Sequence, residues 1–376
     1  MFYIVFIMML LSLIISNYYI GLRIFGIIKH FTAKDSKAVP VVVGALSLFL
    51  LVCGFIHVVA PLPSYVKSAM KVISAYWMGF FVYFLLFFIG ADIVVLCLKI
   101  FKKATPKVRL LSRILAVVFT VVTMTYGMYN GANVRTKSYN LSLGEDTRGM
   151  KIALVSDIHL GAVGSEDRLA DMAEAINKAD VDVVCIAGDI FDNDYYAVND
   201  PGKAIQILKG IKSKYGAYAC FGNHDAGNSV DKMKEFLEES NIHLLADSYV
   251  NIDNRFILLG RNDPHPIGKG LPDGGRSEAE EVLKGTDGSL PVIVMDHNPG
   301  YIGEYGDKAD LILCGHTHKG QIFPGNIITD LMYEADYGYY RRDEKSPHVI
   351  VSSGVGTWGL PVRVGTQSEV VIITLE

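Results

Sequence analysis

The sequence predicts an α/β layer fold carried behind a membrane-spanning helical region, and three observations make that prediction. The apolar excess of the 376-residue chain is concentrated before about residue 131, in long segments without polar faces. Beyond it, short apolar runs alternate with stretches that show helical periodicity. Each run stops at a cluster of Asp, Asn, His or Gly. Strands alternating with helices build buried sheets, and groups beyond the carboxyl ends of such strands converge even when distant in sequence.

Bulk composition narrows the function classes. A formal net charge of −4 is close to neutral for this size and advertises no nucleic-acid partner. Cys53 and Cys97 lie in the apolar first part, while Cys185, Cys220 and Cys314 sit in or at the end of strand-like runs. Without CxxC spacing these read as small core residues, not as a disulfide framework.

Four apolar segments open the chain, at Phe2–Ile28, Val39–Val59, Ile73–Ile100 and Leu110–Met128. Each is near or above the ~20 residues that cross a bilayer. The first lacks a basic start and a small-residue cleavage site, so it reads as a retained span rather than a signal peptide. A soluble bundle would show polar faces at helical period, and Leu48–Ile56 shows none. Residues 1–131 are therefore expected to be a four-helix membrane region. Its first connection carries Lys29, Lys34 and Lys37, and its third carries Lys102, Lys103, Lys107, Arg109 and Arg113. The second is poorer, with Lys67 and Lys71 beside Pro61 and Pro63. Positive-inside bias puts connections one and three in the cytoplasm, and four spans then leave the rest of the chain extracytoplasmic. Asp92, near a span end, reads as a snorkelling or surface residue rather than a transport group.

Residues 132–149 are polar and read as a linker, and 150–376 as the α/β domain. Lys151–Ser156 leads to Asp157-Ile-His159, Val181–Ala187 to Gly188-Asp189, and Tyr215–Phe221 to Gly222-Asn223-His224-Asp225. Leu290–Met295 leads to Asp296-His297, and Asp310–Cys314 to Gly315-His316-Thr-His318. Leu169, Met172, Ala173 and Ile176 recur at helical spacing, Met233, Phe236 and Leu237 mark a second helix, and Ser277 with Glu280 suggests a capping box for a third. Val349–Ser353 and Val370–Leu375 read as closing strands, and the Gly- and Pro-rich Asp263–Gly275 as a surface loop or substrate lid.

Any one of these polar clusters has an ordinary reading: a turn at Gly188-Asp189, a helix entry at Gly-Asn-His-Asp, a chance Asp-x-His. Together they place Asp157, His159, Asp189, Asn223, His297, His316 and His318 at strand ends, with His224 and Asp225 beside them. In an extended segment residues i and i+2 point the same way, so His316 and His318 can face one point. Mixed carboxylate, amide and imidazole donors without thiolate suit a divalent Mn, Fe, Zn, Co or Ni ion. More than four ligands, with a carboxylate free to bridge, suit two ions about 3.5–4 Å apart, the arrangement that clamps both oxygens of a phosphoryl displacement.

With those blocks in place, residues 151–376 resemble the calcineurin-like metallophosphoesterase superfamily, whose signature is D-x-H, G-D, G-N-H-D/E, H and G-H-x-H. The matches are DIH (157–159), GD (188–189), GNHD (222–225), DH (296–297) and GHTH (315–318). The spacing and the closing segments GHTHKGQ and SSGVGTWGLPVR are similar to a bacterial membrane-bound or exported branch. The resemblance implies a four-layer sandwich, two mixed sheets flanked by helices. It implies Asp157, His159 and His318 on a first ion, Asn223, His297 and His316 on a second, and Asp189 bridging. A hydroxide shared by both ions would attack phosphorus, and His224 would protonate the leaving oxygen or stabilise transition-state charge. Asp225 would orient His224 or cap the turn, Asp296 would stand behind the ligands rather than among them, and Asp192 would stand behind them or in solvent. Lys319 departs from the branch, which commonly has Gly-Gly-Gln after the histidine pair. It would meet a substrate phosphate or simply be solvated, and Arg363 would act as an anion clamp or pair on the surface. Tyr195, Tyr196, Trp358 and Tyr333–Tyr340 would wall the cleft or pack.

The expected function is a membrane-anchored, two-metal hydrolase of phosphodiester or pyrophosphate bonds in lipid-linked or envelope-derived substrates. Alternatives are an extracytoplasmic phosphomonoesterase or nucleotidase, and a non-catalytic metal-binding sensor. A transporter would need more intramembrane polar residues than the sequence offers.

Overall fold

Four helices come first: α1 (Phe2–Thr32), α2 (Ala38–Val59), α3 (Ser64–Ile100) and α4 (Pro106–Ala132). The structure is a computed structural model, and it describes residues 2–32, 38–59, 62–267, 275–286 and 288–376. Lys34, Lys37, Pro61 and most of the expected lid lie outside the described residues. The chain falls into two compact units, Met1–Gly127 and Met128–Glu376.

In the first unit, the expectation of four spans is corrected. Among the described residues three helices are long and apolar enough to cross a membrane: Tyr3–Thr32, Val66–Ile100 and Pro106–Ala132. The second segment is helical over 22 residues, Ala38–Val59, and its described apolar stretch is Ala38–Cys53. Side chains from Ile20, Leu51, Phe81, Phe88 and Ala116 form the small core of this unit. Most other large apolar side chains of α1 and α4 face outward, as helices do when their solvent is lipid.

The second unit begins with a correction too. Residues expected to be linker form strand β1 (Val134–Leu141), which runs parallel to the last strand in register from Val134↔Ser368 to Leu141↔Leu375. Its sequence is polar because it is an edge strand whose residues are mostly exposed or half-buried. Hydropathy alone could not tell it from a connector. The chain continues through β2 (Lys151–Val155), α5 (Ser165–Ala179), β3 (Val183–Ala187), α6 (Pro201–Lys209), β4 (Ala217–Cys220), α7 (Val230–Glu239) and β5 (Ile242–Leu244). It then forms β6 (Ser248–Ile252), β7 (Phe256–Gly260), α8 (Ala279–Leu283), β8 (Val292–Met295), β9 (Leu311–Cys314), α9 (Gly325–Met332), β10 (Gly338–Tyr340), β11 (His348–Val351) and β12 (Ser368–Leu375).

These strands make two six-stranded mixed sheets, ordered β1-β12-β2-β3-β4-β5 and β10-β11-β9-β8-β7-β6. In each, a parallel block (β2-β3-β4-β5 or β11-β9-β8-β7) carries antiparallel neighbours. The period-2 alternation of each strand divides its side chains between two cores. Ile152, Leu154, Val183 and Cys185 of the first sheet meet Leu258, Ile293, Met295, Leu311 and Leu313 of the second. Ala153, Val155, Val184 and Ile186 point the other way, under α5, α6 and α7. The outer face of the second sheet is covered by Ala279 and Leu283 of α8 together with Ile302 and Tyr305. Two mixed sheets flanked by helices are the four layers that were expected.

Leu169, Met172, Ala173 and Ile176 are buried along α5, and Met233, Phe236 and Leu237 along α7, as their spacing predicts. The capping box is not formed. The N-cap of α8 is Glu278, without a side-chain cap bond. Ser277 instead donates its N–H to Asp247 Oδ2 at 2.6 Å and accepts from Arg261 at 2.7 Å. Asp247 and the buried Arg261 hold that segment in place of a local cap. Cys185, Cys220 and Cys314 are free and buried, in keeping with their reading as core residues.

Leu313 is fully buried between the sheets, whereas Leu331 of α9 is 81% exposed. Leu313→Ala should cost about 2–5 kcal/mol through lost burial and the cavity left behind. Leu331→Ala should stay within about 0.5 kcal/mol. Denaturant unfolding of the detergent-solubilised chain measures both.

Candidate metal centre

Five strands of the two parallel blocks, β2, β3, β4, β8 and β9, deliver polar clusters at their carboxyl ends, and the two sheets present those ends to the same place. Asp157 and His159 follow β2, Asp189 follows β3, and Asn223 and His224 follow β4. From the second sheet, His297 follows β8, and His316 and His318 follow β9. The structure brings together all seven residues singled out as ligands.

They form two overlapping sets. In the first, His318 Nε2 lies 3.3 Å from Asp157 Oδ1 and 3.1 Å from His159 Nε2. In the second, His316 Nδ1 lies 3.0 Å from Asn223 Oδ1 and 3.3 Å from His297 Nε2, and His297 Nε2 lies 3.1 Å from Asp189 Oδ2. The same Asp189 oxygen is 3.8 Å from His159 Nε2, so this carboxylate stands between the sets. The donor atoms of Asp157, His159 and His318 fall within 4.8 Å of one another, as do those of Asp189, His297 and His316.

Backbone conformation aims these side chains. Asp157, His159, Asp189, His316 and His318 all have positive φ, between 49° and 74°. Such conformations are uncommon outside glycine, although Asp and His adopt them more readily than bulky residues. Close approach is the second device. A Cβ on Gly222 would collide with the Asp189 carboxylate, and one on Gly315 with Asp157 and Ser156. The His224 N–H donates to Asp189 Oδ1 at 2.9 Å, and the His316 N–H contacts both Asp157 oxygens at 3.1 Å.

Electrostatics favour a cation. Burial lowers His318 to about 3, with the nearby His159 and Arg363 charges opposing protonation and Asp157 favouring it. Burial, helped by His297, lowers His316 to about 4. Both imidazoles are therefore neutral, with lone pairs to offer, across the physiological range. His297 behaves differently: burial alone would lower it, but Asp189 more than offsets this and holds it well above its ordinary value. A metal taken up there displaces a proton, as metal ligation by histidine requires. Nitrogen facing nitrogen at 3.1 Å across His159 and His318, with carboxylates alongside, is a donor set that a divalent ion satisfies.

The surrounding residues divide into supports and walls. Asp225 accepts from the N–H groups of Ile190, Phe191 and Gly222 at 3.1, 2.8 and 2.9 Å, so of its two expected roles it takes the cap. Burial and the Asp189 charge push its carboxyl up to about 7, while those N–H groups pull it down. Asp296 is gripped by Arg276 at 3.0 and 2.7 Å and by the Tyr305 hydroxyl at 2.6 Å, standing behind His297. Asp192 Oδ1 lies 3.7 Å from His159 Nδ1. Arg363 corrects an expectation: it is fully buried rather than poised as a substrate clamp. It donates to the carbonyls of Ser353, Gly354 and Gly356 and lies 3.3 Å from His318 Nδ1. Its guanidinium braces the loop behind that histidine. Lys319 holds its ammonium 4.2 Å over the Tyr337 ring. Trp358 meets His224 edge-on at 6.2 Å, and Tyr333 meets His316 at 6.0 Å, so these two aromatics do line the centre.

Sequence reasoning missed Asp263. It follows β7, is buried, and stands close enough to His297 for each charge to act on the other. The signal was present: Phe256–Gly260 is an apolar run that stops at Arg-Asn-Asp, as the other clusters do.

Comparison with known proteins agrees with this geometry. The family profile of the calcineurin-like phosphoesterases matches residues 150–320. An uncharacterized metallophosphoesterase of Aquifex aeolicus (strain VF5) is 31% identical over 251 residues, covering 65% of this chain and 92% of that protein. One from Helicobacter pylori (strain ATCC 700392 / 26695) is 29% identical over 252 residues, covering 66% of each chain. A transmembrane protein with metallophosphoesterase domain from Danio rerio is 30% identical over 277 residues, covering 70% of this chain and 62% of that protein. The chain spans just under two thirds of the length of the last two.

Gly222→Ala places a methyl group against Asp189, whereas a Cβ on Gly303 meets no atom within 4 Å. Elemental analysis of purified protein should find metal lost from Gly222→Ala and retained in Gly303→Ala.

Proposed function

Because the chain belongs to the calcineurin-like phosphoesterase family, we propose that it is a membrane-anchored hydrolase of phosphodiester or pyrophosphate bonds. Its substrates are lipid-linked or envelope-derived. The observation that carries the reading is Asp189, one carboxylate within 4 Å of histidines from both donor sets. Asp157, His159 and His318 would hold one divalent ion and Asn223, His297 and His316 a second, with the Asp189 carboxylate standing between the two sets. Bound there, the ions supply a water of lowered pKa and positive charge at the phosphoryl oxygens.

This chain's own residues do the rest. His224 stands edge-on to His159 of the first donor set, with ring centroids 5.0 Å apart. Burial, aided by His159, lowers its pKa while the Asp189 charge resists. The neutral ring carries one N–H, which it donates to the oxygen on which negative charge grows as the leaving group departs. Its Nδ1 is buried and has no hydrogen-bond partner among the described residues, so it is not committed elsewhere.

A lipid-linked substrate is supported by the surface beside the centre. The segment after the histidine pair packs closely, since a Cβ on Gly320 would overlap Gly325 and Asn326 at the start of α9. From there Phe323, Ile327, Ile328, Leu331 and Met332 present exposed apolar side chains, and Trp358 does so beside His224. An exposed apolar patch on the segment that follows the histidine pair suits a phosphate carried on an acyl or prenyl chain.

Sidedness follows from α4 alone. Lys102, Lys103, Lys107, Arg109 and Arg113 cluster at its start. Positive-inside bias keeps that end cytoplasmic, so the domain that follows its other end is extracytoplasmic. This needs only that α4 cross the bilayer, not four spans.

With manganese added, bis-aryl phosphate should be cleaved faster than mono-aryl phosphate; faster monoester cleavage would favour a phosphomonoesterase instead. His224→Ala should lower kcat by about 10²–10⁴ with metal content retained. An unchanged rate would favour a metal-bound sensor. Protease added to intact cells should digest residues beyond α4, and full protection would place them in the cytoplasm.

A further inference from the structure

The first unit contains a polar cavity that the hydrolase reading does not use. It has a volume of about 390 Å³ and is lined by Arg23 of α1, by Asp92, Val95, Leu96 and Lys99 of α3, and by Arg109, Ser112 and Arg113 of α4. Four cations face one carboxylate. That carboxylate is already taken: Asp92 Oδ2 pairs with Arg23 Nη2 at 2.5 Å and accepts from the Tyr19 hydroxyl at 2.6 Å. The Arg23 guanidinium is further fixed 4.7 Å over the Tyr19 ring. Among the described residues no carboxylate lies within 4.0 Å of Lys99, Arg109 or Arg113. Arg23 Nε is buried without a hydrogen-bond partner.

The Arg113 guanidinium crosses from α4 to lie against Gly26 of α1, in the space that a Cβ there would enter. The depth is also consistent. At 1.5 Å per residue, Arg23 lies about 14 Å before the end of α1, Asp92 about 12 Å before the end of α3, and Arg113 about 10 Å into α4. Helices of 31 and 37 residues are about 46 and 56 Å long, well beyond the ~30 Å hydrocarbon layer, so such positions reach the headgroup zone. The later parts of α1 and α3 and the start of α4 meet at this cavity, with the 22-residue α2 running back between α1 and α3; the basic start of α4 assigns that end to the cytoplasm.

We propose that this cavity binds a phosphate-bearing anion, the headgroup of an anionic phospholipid of the cytoplasmic leaflet. Arg113 and Arg109 contact the phosphate, and the Arg23–Asp92–Tyr19 assembly forms the floor. Basic pockets between membrane helices on this side suit such headgroups, and a guanidinium grips phosphate through paired N–H donors. The volume falls in the range of small-ligand sites.

The test uses the full chain in nanodiscs of phosphatidylcholine, with or without phosphatidylglycerol, and reads retained lipid by native mass spectrometry. Phosphatidylglycerol should be retained in preference. Arg113→Gln should weaken that retention about fivefold, the worth of one cation near a membrane surface, and Arg109→Gln with Arg113→Gln about 25-fold. Lys103→Gln, at the same end but outside the cavity, should change it little. Cleavage of a soluble diester should be unaffected in all three, reporting intact folding. A second arm adds inorganic phosphate to pure phosphatidylcholine discs. A melting shift there that Arg113→Gln abolishes would assign the same site to a soluble phosphate. Equal losses in Lys103→Gln and Arg113→Gln, or no preference in the native chain, would overturn the proposal.

Discussion

Asp157, His159, Asp189, His316 and His318 share a left-handed backbone, and the rest of the second unit can be understood as what holds them there. Each such residue costs on the order of 1–3 kcal/mol and persists only where its surroundings over-determine it. The surroundings here are the parallel strands that precede them. The β2 and β3 ladder ends with Val155 opposite Ile186, and the Asp157 and His159 N–H groups then bond to the Gly188 and Asp189 carbonyls at 3.0 Å. On the other sheet the Gly315 N–H bonds to the His297 carbonyl at 2.9 Å. The turns that carry the donors are thus hydrogen-bonded to each other as well as to their strands. Strain and convergence have the same origin.

The two sheets matter because neither alone completes a donor set. Asp157, His159, Asp189 and Asn223 come from the first, and His297, His316 and His318 from the second. The apolar layer between Leu154, Cys185, Met295 and Leu313 fixes the distance between them, so packing between the sheets becomes ligand geometry. Glycine enters where backbone must lie against a ligand, as Gly222 does against Asp189. Arg363 and Arg276 act from behind, one beside His318 and the other through Asp296. A buried guanidinium in such a place is costly unless its donors are all met, and carbonyls and carboxylates meet most of them.

The centre was legible in the sequence because parallel strands announce themselves as apolar runs, and because every run stopped at the chemistry. The same grammar holds in FILLG-RND, where Asp263 is also the first residue of a Gly- and Pro-rich loop, so its place beside His297 is hidden by that composition. Positions whose role depends on long-range burial were not legible. Arg363 looks like any loop cation until its carbonyl cage is seen. β1 looks like a linker because an edge strand needs no apolar alternation, only a neighbour, and its neighbour lies at the far end of the chain. Ser277 and Glu280 have the spacing of a cap, but the preceding segment is set by Asp247 and Arg261. In the membrane unit, hydropathy found the helices, while the meeting of Arg23, Asp92 and Arg113 depends on how three of them pack.

Asp189 is proposed to join two divalent ions, each held by residues from both sheets. Paramagnetic resonance of the manganese-loaded chain tests it most directly. The account predicts the multiline spectrum of an exchange-coupled pair, replaced by an uncoupled signal in Asp189→Ala. A native protein that shows only the six-line signal of isolated manganese at saturation would contradict it.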